Sequence, residues 1–198
     1  VDLKSMGIGT EQVEKNLKEI FPAARIARMD RSQIKGREEL ESLLQSVANR
    51  EIDILIGTQM IAKGLHFPNV TLVGIINADL GLHLPDFRAG ERTFQLLTQV
   101  AGRAGRGEME GQVIVQTYTP FSPSIQFARH HDFEGFWDQE IHFREQFFYP
   151  PYSRMALIIV RSEKRELAEF TAQTIGRRLA EHLPEGIKLG ESAPAPLE

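Results

Sequence analysis

The sequence predicts a doubly wound α/β domain, in which helices flank a parallel sheet. Short apolar runs without polar alternation recur along residues 1–118, and such runs are typical of parallel strands covered on both faces. Stretches in which apolar residues have helical spacing separate these runs, and this alternation of strands and helices indicates an α/β fold. The chain has 198 residues, of which 41% are apolar, so it is long enough to bury a core.

Five strands are predicted along this part of the chain, at residues 1–9, 24–30, 53–58, 70–77 and 112–118. The first helix follows the first strand, and Thr10 is expected at its N-cap, where a hydroxyl oxygen accepts a backbone N–H. The second helix carries the amphipathic pattern from Leu40 to Val47. The third runs roughly from Arg88 to Ala101.

An aromatic-rich segment follows the last of these strands. Its residues 121–147 have a helical pattern, and the aromatic side chains either pack a helix over the edge of the domain or form a base-stacking surface. The two prolines of "YPPYSR" exclude a helix at 149–154. Residues 121–154 are therefore predicted to be a helical extension with a proline-rich linker, after a first domain at 1–120.

A second βα unit begins after the linker. The sequence predicts a strand at 155–162 and a helix at 163–183, with five apolar side chains facing inward: Leu167, Phe170, Ile175, Leu179 and Leu183. A single βα unit cannot close a core, so we expect residues 155–198 to be the truncated start of a C-terminal α+β domain.

Composition excludes several classes of protein. The chain has no cysteine, which rules out disulfides and favours a cytoplasmic protein. No apolar run reaches the length of about 18 residues that a membrane span needs. The start, "VDLKSMGIGT", does not have the pattern of a signal peptide. The net charge of −4 argues against a protein that coats nucleic acid, but it permits a local basic groove.

The loop after the strand at 53–58 is the first candidate site. In "GTQMIAKGLHFPNV", Thr58 offers a hydroxyl and an N–H at the start of a short helix, which suits a phosphate. Lys63 adds a positive charge, and Gly64 permits close approach of the backbone. A simple helix cap at Thr58 remains the alternative.

The second candidate is the pair of arginines in "QVAGRAGR", residues 99–106. Gly102 and Gly105 remove steric cover from Arg103 and Arg106, whose planar guanidinium groups match phosphate oxygens. A solvated turn is the alternative. Because ligands of α/β sheets bind at loops that follow strands, both candidates lie where such a site is expected.

These two stretches carry a resemblance to a known family. "QVAGRAGR" resembles motif VI of superfamily 2 helicases at every fixed position of Q-x-x-G-R-x-G-R, and "GTQMIAKGLHFPNV" resembles motif V. The order of the elements fits the second RecA-like domain of such motors. The long block from "ILIGTQMIAKGLHFPNV" to "AGRAGR", together with "YPPYSRMALIIVRSE", resembles the bacterial replication-restart DNA helicases, over about residues 7–198.

The resemblance implies roles for individual residues. Arg106 matches the arginine finger, and Arg103 matches its companion near the γ-phosphate, so both are expected to bind nucleotide and to act in catalysis. Gln99 matches the catalytic position that links the nucleotide to the domain interface, and Gly64 faces the nucleotide. The positions expected to contact DNA are Thr58, Gln59 and Lys63.

The family is an ATP-driven 3′→5′ DNA helicase that recognises stalled forks and reloads the replication machinery. The resemblance therefore implies ATP and Mg²⁺ in the intact protein, single-stranded and forked DNA as partners, and primosome proteins and single-stranded DNA-binding protein as further partners. This chain contains neither a Walker A pattern nor a DExH box, so by itself it is expected to be inactive. Zinc is expected only in a segment upstream, and no metal is expected in this chain. A stand-alone α/β module that binds nucleic acid or a protein, without ATPase activity, is the alternative.

The roles of His66 and of the loop 77–92 are not assigned by the sequence. Many superfamily members have aspartate where His66 stands, and there it contacts the ribose, so no role is assigned to His66. The charged residues of the loop either form a salt-bridged cap on the following helix or couple DNA to the ATP cleft; they are Asp79, Asp86, Arg88, Glu91 and Arg92.

Overall fold

The computed structural model describes residues 9–30, 34, 36–58, 70–102 and 111–194. The chain divides into two compact units, Val1–Phe143 and Arg144–Glu198. Its elements in order are α1 (Thr10–Ile20), β1 (Ile26–Met29), α2 (Arg37–Ala48), β2 (Ile54–Gly57), β3 (Leu72–Ile75), α3 (Asp79–Leu82), α4 (Ala89–Ala101), β4 (Gln112–Val115), α5 (Pro123–Arg129), α6 (Phe133–Gln146) and α7 (Arg165–His182).

The four strands of the first unit pair in parallel, as the sequence predicts. β1 pairs with β2, with Met29 opposite Gly57, and β3 pairs with β4, with Ile75 opposite Val115. Within the described residues these are two separate two-stranded sheets rather than one continuous sheet. The predicted first strand, at 1–9, lies almost wholly outside the described residues.

The faces of the β3–β4 sheet differ in exposure. Side chains alternate between half-buried and exposed along both strands, and Leu72 and Ile114 are 56% and 59% exposed. The prediction that β3 is covered on both faces is therefore wrong for the described structure. Apolar strand composition reports the tendency of a strand to be buried, but it does not say which element provides the cover.

Helix α1 begins one residue earlier than the predicted cap implies. Gly9 occupies the N-cap with an extended backbone, and Thr10 is the first helical residue. The hydroxyl of Thr10 donates to Oδ2 of Asp30 at 2.9 Å, so it does not cap the helix. It connects the start of α1 to the residue that follows β1.

The hydrophobic core cluster of the first unit lies around α4. Phe94 and Leu97 of this helix are each 4% exposed, and they form one cluster with Ala78, Ile125 and Phe136. The helical spacing of 88–101 predicts Phe94, Leu97 and Ala101 on one side of the helix; Phe94 and Leu97 are buried, and Ala101 is half-buried.

The aromatic segment packs on this core. The predicted single helix is two helices, α5 and α6, separated at 130–132, where His131 has a left-handed backbone with φ 53°. Phe136 of α6 contacts Phe94, which supports packing over the domain for this side chain. Phe121, Phe133 and Trp137 are 89%, 65% and 52% exposed, so the base-stacking alternative stays open for these side chains of the segment.

The second unit contains α7, which confirms the predicted helix at 163–183. The predicted strand at 155–162 is irregular backbone, because no described segment of this unit pairs with it. Leu167 and Phe170 are 55% and 61% exposed, so their predicted inward orientation is also wrong here. Among the described residues of this unit, α7 has no paired sheet on which its apolar side chains could pack. The domain limits at 120 and 154 stay predictions.

Candidate nucleotide and nucleic-acid site at the carboxyl ends of the strands

Thr58 lies at the carboxyl end of β2, directly after Gly57, and its side chain is exposed. Because Gly57 is in register with Met29, Thr58 and Asp30 follow paired residues at the same edge of the β1–β2 sheet. An exposed hydroxyl at the carboxyl edge of a parallel sheet is placed where α/β proteins bind their ligands. The structure therefore leaves Thr58 accessible to a phosphate group.

Gln99 lies in the last turn of α4 and is exposed. The opposite side of this helix carries Phe94 and Leu97, which are buried in the core. The helix ends at Ala101, and the N–H of Gly102 donates to Thr98 O at 3.0 Å. The packed face of α4 thus fixes the direction in which Gln99 is presented.

The other predicted site residues lie outside the described residues. The assignments that stay predictions for this reason are those of Gln59, Lys63, Gly64, Arg103 and Arg106, and His66 also falls there. Thr58 follows β2 of the β1–β2 sheet, whereas Gln99 lies on α4, which packs on the β3–β4 sheet.

Asp79 is a buried carboxylate at the carboxyl ends of β3 and β4. It accepts hydrogen bonds from the backbone N–H of Tyr118 at 2.9 Å, from Oγ1 of Thr117 at 3.0 Å and from the hydroxyl of Thr119. Burial by itself would raise the pKa of Asp79, but the hydrogen bonds from Thr119, Tyr118 and Thr117 outweigh it and lower the pKa. Asp79 is therefore not part of a cap on α4, which corrects one of the two interpretations of loop 77–92.

The signal for this contact is present in the sequence. Asp79 comes four residues after the end of β3, and "TYT" begins two residues after the end of β4. Adjacent parallel strands end at the same edge, so an acid after one strand and hydroxyls after the next are close in space. Sequence reasoning missed the contact because it did not establish that these two strands are neighbours.

A salt-bridged cap does exist at the start of α4. Asp86 pairs with Arg88 at 3.1 Å and with Arg92 at 3.0 Å. Hydrogen bonds from the side chain and backbone of Arg88 hold the pKa of Asp86 below its ordinary value. Glu91 accepts from Gln95 along the helix at 3.0 Å. The cap is therefore confirmed for Asp86, Arg88 and Arg92, while coupling between DNA and nucleotide stays a prediction.

A second charged cluster lies beneath α1. The guanidinium group of Arg28, on β1, is 8% exposed and lies 3.1 Å from Asp30, 3.2 Å from Glu11 and 3.6 Å from Glu14. Three carboxylates thus face one buried cation. We define this set as the Arg28 cluster; it ties α1 to β1 beside the edge that carries Thr58.

The described residues contain no group of three or more histidine, cysteine, aspartate or glutamate side chains that could hold a metal ion. That this chain binds no metal stays a prediction. Within the same residues, no helix is both long and apolar enough to cross a membrane.

Comparisons with known proteins agree with these motifs. Residues 8–108 match the family described as "Helicase conserved C-terminal domain". The chain is 48% identical over 192 residues to the replication restart protein PriA of Bacillus subtilis, with 96% of the chain and 24% of that protein aligned. It is 44% identical over 185 residues to the protein of that name from Treponema pallidum, covering 93% and 28%.

A third protein of the same name, from a Synechocystis strain, is 42% identical over 193 residues, covering 98% of the chain and 23% of the relative. The chain thus spans about a quarter of the length of these relatives. The resemblance to replication-restart helicases is confirmed. Because the family match extends over half of the chain, this protein belongs to the helicase conserved C-terminal domain family.

Proposed function

We propose that this chain is the second RecA-like motor domain of an ATP-dependent 3′→5′ DNA helicase that acts at stalled replication forks. The observation that carries the proposal is the placement of Gln99. It is exposed in the last turn of a helix held in the core by Phe94 and Leu97, and it is the first residue of the motif that contains Arg103 and Arg106. A buried helix face of this kind fixes the direction of the residues at its end.

In this proposal ATP binds between this domain and a first motor domain that provides the Walker A loop and the DExH box. Arg106 stabilises the charge that develops on the γ-phosphoryl oxygens, and Arg103 binds the nucleotide beside it. Gln99 links the nucleotide to the domain interface, and Gly64 lets the backbone approach it. Mg²⁺ bound with ATP neutralises phosphate charge when it is present.

Thr58 is the residue whose placement supports DNA binding in this proposal. Its exposed hydroxyl at the end of β2 is suited to a backbone phosphate, together with Gln59 and Lys63. Contacts to phosphate position a protein on DNA without reading its sequence. Single-stranded and forked DNA are therefore the proposed substrates, and primosome proteins and single-stranded DNA-binding protein are the proposed partners, in the cytoplasm. We propose zinc only for a segment upstream of this chain.

The test compares the intact protein with the 198-residue chain. The intact protein should hydrolyse ATP faster in the presence of single-stranded DNA and should unwind a forked duplex. The isolated chain should do neither, since it contains no Walker A pattern or DExH box. DNA-stimulated ATP turnover by the purified chain alone would contradict the two-domain arrangement, whereas an intact protein without DNA-stimulated turnover would contradict the motor function.

A further inference from the structure

The segment between β3 and α4 is fixed at its beginning by Asp79. Backbone pairing continues beyond the two strands, because Gln116 N–H donates to Ile75 O at 2.9 Å and Ala78 N–H donates to Gln116 O at 3.0 Å. Directly after this pairing, the buried carboxylate of Asp79 binds Thr117, Tyr118 and Thr119. The start of α3 is therefore joined both to β4 and to the connection that follows β4.

The next contact joins α3 to α4. A Cβ built on Gly81 would lie only 2.6 Å from Oγ1 of Thr93, so the backbone of α3 lies directly against α4 at this point. Thr93 is 3% exposed, and its hydroxyl donates to Ala89 O at 2.9 Å, which fixes that side chain in turn. A displacement of Asp79 would consequently be passed through Gly81 and Thr93 to α4.

We propose that Asp79 is a positioning residue that sets the location of α4, and through it the location of Gln99 in the last turn of that helix. This inference rests on the proposed motor function. The contacts run from Asp79 through Gly81 and Thr93 to the helix that presents Gln99. Asp79 holds its position firmly, because displacing a buried carboxylate that accepts three hydrogen bonds costs free energy.

The primary variant is Asp79→Asn in the intact protein. Asparagine keeps the size of the side chain, but its amide group has one oxygen to accept hydrogen bonds and an NH₂ that faces donors. We expect the DNA-stimulated kcat to fall by about 10- to 100-fold, as for a misplacement of catalytic groups by about 1 Å. The Kd for single-stranded DNA should stay within about twofold, because the proposed DNA contact at Thr58 follows β2, on the other sheet. The KM for ATP should change less than kcat, because in the proposed arrangement the Walker A loop of the first motor domain also binds the phosphates.

Two measurements separate positioning from simple loss of stability. Turnover is normalised to the number of nucleotide-binding sites that remain folded, at a temperature well below Tm. Hydrogen exchange, followed by mass spectrometry without nucleotide, should be faster in α3 and α4 of the variant and unchanged in the peptides of β1 and β2. A residue with only a stabilising role would lower Tm and leave the normalised kcat as in the wild type.

Asp53→Asn is the control at a more exposed carboxylate outside the route through α3. Asp53 also accepts three hydrogen bonds, from the backbone N–H, Nε and Nη2 of Arg25. It lies directly before β2, at the opposite end of this strand from Thr58. Its loss should affect stability without changing the normalised kcat. If Asp79→Asn fails to fold, Thr119→Val gives a second test, because it removes one donor and leaves the carboxylate and the other two donors in place.

The outcomes are distinct. A normalised kcat within about twofold of the wild type in the folded Asp79 or Thr119 variant would overturn the positioning role. So would an equal fall in kcat for Asp53→Asn, since the effect would then not be specific to the route through α3. Absence of DNA-stimulated turnover in the wild-type intact protein would instead overturn the proposed function, and the positioning role with it.

Discussion

The aromatic rings of Phe94 and Phe136 are stacked, with their centroids 4.2 Å apart and their planes within 2° of parallel. Phe136 lies on α6 and is 5% exposed, and Phe127 of α5 meets it edge-on at 6.4 Å. The helix that presents Gln99 is thus packed against residues outside the predicted limits of the first domain. The aromatic segment after residue 120 is part of what holds α4 in place.

Replacement of Phe136 tests this packing. We expect Phe136→Ala to lower the free energy of unfolding of the first unit by about 3–5 kcal/mol, because it removes a large buried ring and leaves a cavity. Urea unfolding of the 198-residue chain measures the change. Trp137→Ala is the control on the same helix; Trp137 is 52% exposed, so its loss should cost much less. Equal losses for the two variants would contradict the assigned core.

Gly81→Ala tests the contact between α3 and α4. The new methyl group would lie 2.6 Å from Oγ1 of Thr93, so we expect a destabilisation of about 1–3 kcal/mol from overpacking. Gly176→Ala in α7 is the matched control, since nothing lies within 4 Å of its Cβ position. There the same substitution should stabilise the helix by about 0.5–1 kcal/mol. Thermal unfolding of both variants should show shifts of opposite sign.

The lowered pKa of Asp53 predicts that the stability of the fold depends on pH in the acid range. Hydrogen bonds from the side chain and backbone of Arg25 lower the pKa of Asp53 well below its ordinary range. Its contribution is therefore fully present above the unfolded pKa of about 3.9 and is lost as pH falls further, through the lowered pKa of the folded state. Urea unfolding at a series of pH values should show a flatter acid limb for Asp53→Asn than for the wild type.

Arg25→Gln should flatten the same acid limb, because it removes the partner that lowers the pKa of Asp53. The pair is exposed, so the difference from the wild type should shrink at high salt. An acid limb of unchanged slope in both variants would show that the ion pair does not form in solution.

Thr58→Ala tests the proposed DNA contact in the intact protein. Loss of the exposed hydroxyl should weaken binding of single-stranded DNA, or the stimulation of ATP turnover by DNA, to a similar degree on every sequence. Turnover without DNA should change little. Thr58→Ser should retain most of the wild-type behaviour because it keeps the hydroxyl. Normal DNA affinity and normal stimulation in Thr58→Ala would reduce the residue to a cap of the following segment.

Arg106→Ala should abolish most ATP turnover in the intact protein while the fold and most nucleotide affinity remain. A guanidinium aimed at the γ-phosphoryl group stabilises the transition state more than the ground state, and such fingers contribute roughly 10³ to 10⁵ in rate. Arg106→Lys should restore little, because an ammonium group cannot form the planar fork. DNA-stimulated kcat and nucleotide Kd, measured together, check the assignment.

Arg129→Ala provides the control, since Arg129 is an exposed arginine at the end of α5. It should leave kcat unchanged. If Arg106→Ala also kept kcat within a few-fold of the wild type, the arginine-finger role would be wrong.

The sequence predicted the local elements well, because strand and helix periodicities are properties of neighbouring residues. Four strands lie within the predicted segments, and α4 begins one residue after the predicted start at Arg88. The exposed positions of Thr58 and Gln99 also agree with their proposed roles. These results need only the pattern within about a dozen residues.

Features that depend on distant partners were not predictable in the same way. The segment 155–162 has the composition of a strand, but composition does not provide the neighbouring strand that completes its hydrogen bonds. The cap interpretation of loop 77–92 gives Asp79 the wrong partners, because its donors are about forty residues away and the neighbour relation of β3 and β4 is needed first. Tertiary pairing, rather than local preference, decides both cases.

The Arg28 cluster has a consequence for the order in which evolution can replace its members. One guanidinium group faces the carboxylates of Glu11, Glu14 and Asp30, so negative charge is in excess. A lineage can lose either glutamate and still leave the cation with a partner. Loss of Arg28 first would leave three carboxylates facing one another beside a helix and a strand. Either glutamate is therefore replaceable while Arg28 stays, whereas Arg28 becomes replaceable only after the negative charge that faces it has been reduced.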